Sequence, residues 1–178
     1  MMKFQPAFNT LPARLRCIVL VMAALGPFAA SAQFFQDNPD WKEAEAPPPP
    51  AYDVSKLLTF KVSGGQSLVY GVDPASITIN KSDSVVRYVM VATSASGVRN
   101  VMYEALHCAT GEVKIYARQF SGKWEPIANP KWQSVFGEMP SKHAFTFARM
   151  GACDGAAPAS SVPDLVAKVK AHGQYLDQ

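Results

Sequence analysis

The apolar and polar positions of the chain divide into three regimes. Residues 17 to 26 are uncharged and almost wholly apolar, bounded by Arg16 before and Pro27 after. Residues 33 to 56 show no period of two or of 3.6, and Pro47 to Pro50 stand together among them. From Leu57 the pattern becomes β-like: short runs rich in Val, Ile, Tyr and Thr, punctuated by Gly, Asp, Asn and Ser. Leu57 to Val62, Ser67 to Tyr70 and Ser76 to Ile79 are the short ones, followed by the longer Val85 to Thr93, Arg99 to Cys108 and Glu112 to Phe120. The separators Ser94 to Gly97 and Ala109 to Gly111 are short and contain Gly, which predicts an antiparallel meander. No stretch between residues 57 and 150 holds a helical period long enough for a crossover helix, which argues against a parallel sheet.

Beyond Phe120 the pattern is less regular. Gly122 to Pro126 reads as a turn with a short strand, and Lys131 to Gly137 as a helical turn or a strand. Ala144 to Arg149 alternates as a closing strand would. Ser161-Val162-Pro163-Asp164 is a helix start, and Leu165, Val166 and Val169 continue one apolar face to about His172, with Gly173 as the stop. The expected class is α+β but mainly β: a single antiparallel sheet or partly closed barrel with a C-terminal helix.

Charge and small residues give the first 32 positions a different meaning. Lys3, Arg14 and Arg16 precede the apolar run, no acidic residue accompanies them, and Ala30-Ser31-Ala32 supplies the small-x-small pattern of a signal-peptidase site. The run is too short for a membrane span, which needs about 20 apolar residues. The expected organisation is a signal peptide over 1–32, a Pro-rich leader over 33–56, a β domain over 57–157 and a helix with tail over 158–178. The expected location is the periplasm, with no membrane span left after cleavage. The four prolines read as a stiff polyproline II spacer of about 12 Å or, alternatively, as a ligand for an aromatic-lined groove, and the apolar Phe34, Phe35 and Trp41 allow part of the leader to fold back on the domain.

The formal charge of +3 belongs to that address, because the remainder carries 14 basic and 14 acidic residues. Balanced charge gives no electrostatic footprint for nucleic acid. Two cysteines, Cys108 and Cys153, remain after cleavage, and an even count in an oxidising compartment predicts a disulfide. Closing a loop of about 46 residues is worth about 4 kcal/mol on the chain-entropy account.

A two-residue turn at Thr110-Gly111 would set Cys108 opposite Val113, Leu106 opposite Ile115, Glu104 opposite Ala117 and Met102 opposite Gln119. The other face would then collect Tyr103, His107, Lys114, Tyr116 and Arg118, extended by Tyr88 and Met90 of the preceding strand. Aromatic and basic side chains together suit a partner surface; the alternative is that the leader or the C-terminal helix packs over them. A turn at Ser96-Gly97 would place Glu104 diagonal to Arg87, as a partly buried ion pair or, alternatively, a carboxylate for the acid–base work of a small hydrolase. His107, Cys108, His143 and Cys153 match no compact zinc spacing, and no phosphate loop or nucleophile elbow occurs. The expectation is no catalytic residue, no metal and no cofactor.

Several segments, taken together, carry a resemblance: Asp40-Trp41-Lys42-Glu43 before the prolines, Val72-Asp73 with Ser76-Ile77, Val86-Arg87-Tyr88-Val89, and Ser96-Gly97-Val98-Arg99-Asn100 leading to Tyr103-Glu104. Cys108, Thr110-Gly111-Glu112, Lys114, Tyr116-Ala117, Trp124 and Trp132 follow in order. The pattern, from about Asp37 to Cys153, resembles the cryptic neisserial protein-like family of small exported proteins of Gram-negative bacteria. That resemblance implies an envelope location and a domain of uncharacterised function. The expected role is a non-enzymatic module whose Tyr103, His107, Tyr116 and Arg118 face binds an envelope protein or cell-wall component. The resemblance brings no catalytic or ligand residues with it. Some members look like lipoproteins; this chain has no cysteine after its apolar run.

Overall fold

A computed structural model describes residues 40–62 and 67–175. The chain divides between Phe34 and Phe35, and the described residues all belong to the second unit. The expected signal peptide and the first part of the leader lie outside them. Among the described residues no helix is long and apolar enough to cross a membrane.

Three nine-residue strands form the middle of the sheet: β4 (Val85–Thr93), β5 (Arg99–His107) and β6 (Glu112–Phe120). Each outer edge is split between two short strands. On β4, β2 (Val69–Val72) pairs with one half and β3 (Thr78–Asn80) with the other, while β1 (Leu58–Lys61) extends the sheet beyond β2. On β6 the same arrangement is made by β7 (Lys123–Pro126) and β8 (Gln133–Ser134). The result is an eight-stranded, wholly antiparallel sheet in which the described strands leave the edges open rather than closing a barrel.

The split between β2 and β3 follows from Pro74, whose missing N–H and fixed φ interrupt a ladder. A 3-10 turn forms there over Pro74–Ser76, capped by Asp73, which accepts from the Ala75 N–H at 3.0 Å. The gap leaves the Val89 N–H without a strand partner, and Ser76 Oγ accepts it at 3.1 Å. A buried backbone donor is thus satisfied by a side chain at the interruption.

β4 is buried along eight of its nine residues because both faces of the sheet are covered. One face packs against helix α1 (His143–Phe147), the π-helical turn Ala148–Ala152 and helix α2 (Val162–Tyr175). The main core lies there, built from Phe60, Tyr70, Tyr88, Met90, Leu106 and Phe147 with Leu165 and Val169. The opposite face holds a smaller cluster of Val89, Val91, Val101, Tyr103 and Ala117, against which Tyr52 and Trp124 pack.

Three sequence expectations need correction. Ala144 to Arg149 is helical, not a strand. His143, Ala144, Phe147 and Met150 are the inward residues, and that spacing turns a single helical face to the core. Ser141 Oγ accepts the His143 N–H at 3.2 Å and starts the turn. Helix α2 also runs through Gly173 to Tyr175 rather than stopping there. Both hairpins, finally, have a different register. The β4–β5 connection is a three-residue turn, closed by the Ser94 N–H donating to Val98 O at 2.9 Å, so Tyr88 lies opposite Glu104. The β5–β6 connection spans Cys108 to Gly111, so His107 lies opposite Glu112.

The longer second turn has a visible cause. Cys108 leaves the ladder to join Cys153, their Cα atoms 5.6 Å apart, which is the expected disulfide. Gly111 takes φ of 63°, and a Cβ there would come within 2.5 Å of the Phe136 ring. Between Glu104 and Tyr103 the register then shifts, leaving Tyr116 as an extra residue on β6.

Candidate functional site

These register changes separate the side chains that the sequence places together. Tyr103, His107, Lys114 and Tyr116 remain on one face, and the chain's own leader occupies it. Trp41 stacks on the His107 ring with centroids 4.2 Å apart, and its Nε1 donates to Asp83 O at 2.8 Å. Glu43 accepts from Tyr116 OH at 2.5 Å and Trp132 Nε1 at 3.0 Å, and pairs with Lys114. Both backbone groups of Ala44 are held: Asp83 accepts its N–H at 3.0 Å, and Arg87 donates to its carbonyl at 3.1 Å. Further along, Tyr52 OH donates to Gln119 at 2.6 Å. The folded-back leader, rather than the C-terminal helix, covers this face.

The electrostatics agree with a sealed surface. Burial pushes the Glu43 carboxyl up, but hydrogen bonds from Lys114, Tyr116 and Trp132 outweigh it and hold the group below the usual carboxylate range. Burial raises the Tyr116 phenol, and the hydrogen bond to Glu43 adds to that. The hydroxyl therefore serves as a donor to a carboxylate.

Arg87 and Glu104 do not pair. The one-residue change in the β4–β5 register puts Arg87 opposite Ala105 and on the other face from Glu104. Each finds a different partner. Arg87, 1% exposed, bonds Asp83 at 2.7 Å. Burial works against the charge on Asp83, yet the bond to Arg87 and the N–H groups of Ala44 and Val85 hold its pKa low. Glu104 is fully buried and receives His143 Nε2 at 2.9 and 3.1 Å on its two oxygens. His143 Nδ1 meets Ser141 Oγ at 3.0 Å, and the Tyr70 ring stacks on the imidazole at 5.0 Å. Burial pushes the imidazole pKa down, but the Glu104 charge and hydrogen bond more than restore it, so it ends above its ordinary value. Tyr88, opposite Glu104 in register and fully buried, has its phenol pKa driven well up by burial and then by the Glu104 charge.

The remaining residue of the expected surface, Arg118, has changed sides. Because Tyr116 is the extra residue of the bulge, Arg118 lies opposite Met102 instead of Tyr103. It enters a cleft of about 1250 Å³ between the sheet and the chain around Met139 to His143. Tyr70, Ala92, Met102, Val113 and Ile115 form the floor, and Asn100, Asn129 and Lys131 stand among the lining residues. Arg118 is partly buried, and its charge is felt at His143. No carboxylate among the described residues reaches it within ion-pair distance, although Glu125 is its register partner on β7.

Sequence reasoning did not connect His143 with Glu104 or Glu43 with Lys114. The first pair is separated by 39 residues and rests on a segment that alternates like a strand. For the second, the signal was present in Trp41 and the fold-back expectation, but not the acidic residue two positions on. Cys108 and Cys153 are bonded to each other, so neither is a thiolate for a metal.

These features define a disulfide-linked antiparallel sheet protein with one face sealed by its own N-terminal strap and the other opened by a cleft. The chain belongs to the CNP1-like family, a family of uncharacterised function, which matches residues 36–170. No curated protein and no solved structure matches it.

Proposed function

We propose that this protein is an exported, non-catalytic envelope module that receives a component of the periplasm or cell wall in the cleft beside Arg118. One observation carries the reading: a partly buried arginine enters a large cleft with a mainly apolar floor and forms no ion pair with a carboxylate among the described residues. Taking a guanidinium partly out of water without a counter-charge is costly, and a bound anionic group offsets that cost. The signal-like first 32 residues and the disulfide support export, since structural disulfides persist in oxidising compartments. The strap argues that Tyr103, His107, Lys114 and Tyr116 serve the fold instead.

Acid–base chemistry at Glu104 is the competing reading, and the adjacent His143 is the observation in its favour. The geometry argues against it. Glu104 has no exposed surface, both its oxygens face His143 Nε2, and Nδ1 is engaged by Ser141. With no exposed surface, the carboxylate offers a substrate no direct contact.

A photoreactive amino acid at Asn129, on the exposed lip, should cross-link an envelope component in intact cells. Arg118→Glu should abolish capture while the melting temperature stays within a few degrees. Capture that survives the charge reversal would sink the proposal.

A further inference from the structure

We infer that the cleft takes a single-chain amphipathic anion, a long-chain carboxylate, with its hydrocarbon chain along the sheet floor and its headgroup on Arg118. This deepens the proposed function and rests on the cleft being the binding site.

The chemistry of the floor selects against a peptide. Tyr70, Ala92, Met102, Val113 and Ile115 present side chains, and the backbones of β2, β4, β5 and β6 are committed to their ladders. An extended peptide laid across that floor would bury N–H and C=O groups without partners, which is costly. A hydrocarbon chain has no such groups to satisfy. Met102 and Met139 are unbranched and adaptable, suited to packing a flexible chain.

Charge sets the headgroup. Glu104 is paired with His143, which itself lines the cleft, and no ion pair among the described residues takes up Arg118. Its planar fork matches a carboxylate in two parallel hydrogen bonds. Lys131 is exposed at the rim, and Glu138, also lining the cleft, offsets it. One partly buried cation beside one apolar floor fits one anion on one chain.

The test uses the full mature chain and titrates dodecanoate below its micellar concentration, with dodecanol and acetate as comparisons. Dodecanoate should bind one per chain, and dodecanol and acetate at least roughly tenfold more weakly. Arg118→Met should weaken dodecanoate by roughly tenfold to a hundredfold, the loss expected for a charge-assisted contact, and leave dodecanol unchanged. Asn100→Trp, at an exposed lining position, should weaken both long-chain ligands by obstructing the cleft. Dodecanoate that fails to bind, or that binds both variants unaltered, overturns the inference. If Asn129 still captures an envelope component while dodecanoate does not bind, the ligand class is wrong and the cleft reading stands. If capture and binding both fail, the two fall together.

Discussion

Glu104 and His143 meet at 2.9 Å beside the cleft, which His143 lines, one contributed by the central strand and the other by the first turn of a short helix. Around them stand Tyr70, Tyr88, Ser141 and Arg118, so the pair is enclosed by rings, one hydroxyl contact and one cation. The imidazole pKa is higher in the folded protein than in the unfolded chain. Its contribution to stability is therefore complete below the ordinary histidine range and is lost as pH rises through the folded value. Urea unfolding from about pH 5.5 to about pH 8.5 should show that decline, and Glu104→Gln should flatten it. The same variant should lower stability by about 1–3 kcal/mol. A Glu104→Gln protein of unchanged stability would instead favour a chemical role for the carboxylate.

The strap makes an opposite prediction. Glu43 and Asp83 have depressed pKa values, so their stabilisation is present above the unfolded carboxylate range and fades as pH falls through the folded values. Trypsin at neutral pH should leave Lys42 intact in the native protein. Glu43→Ala should make that bond cleavable and reduce stability by about 1–3 kcal/mol, because Lys114, Tyr116 and Trp132 lose a common acceptor. Equal resistance of the variant and the parent would mean that Trp41 and Ala44 hold the strap without it.

Tyr116→Phe separates the hydroxyl from the ring. The ring packs at 5.4 Å from Tyr103 and should remain, whereas the bond to Glu43 is lost. The expected cost is about 1 kcal/mol, with no change in cross-linking through Asn129. Reduced cross-linking would place Tyr116 in the partner surface after all.

Replacing Cys108 and Cys153 together by Ser should cost about 2–5 kcal/mol, seen in the unfolding midpoint with and without reductant. The parent should respond to reductant and the double variant should not.

Gly151 stands at φ 135°, and a Cβ there would approach Lys168 Cβ to 2.4 Å. Gly151→Ala must strain the backbone and push α2 from the π-helical turn. A loss of about 1–3 kcal/mol is expected, measurable as a fall in melting temperature; an unchanged value would mean that α2 is free to shift.

The β-strands, their antiparallel order and the disulfide were legible in the sequence, because alternation, Gly-containing turns and cysteine count are local or compositional signals. β4 and β6 occupy the expected ranges, and β5 differs by its last residue. The site was decided elsewhere. One extra residue in the turn after Thr93 moved Tyr88 and Met90 away from Tyr103 and carried Arg87 away from Glu104. One extra residue at Tyr116 carried Arg118 through the sheet. Turn length and bulges answer to packing: the pull of Cys108 toward Cys153, the Phe136 ring over Gly111, the helix over Glu104. A strand has a side-chain period of two, so each single-residue choice exchanges its faces completely. Sequence alone thus determined which residues form the sheet, whereas tertiary contacts determined which of them share a side.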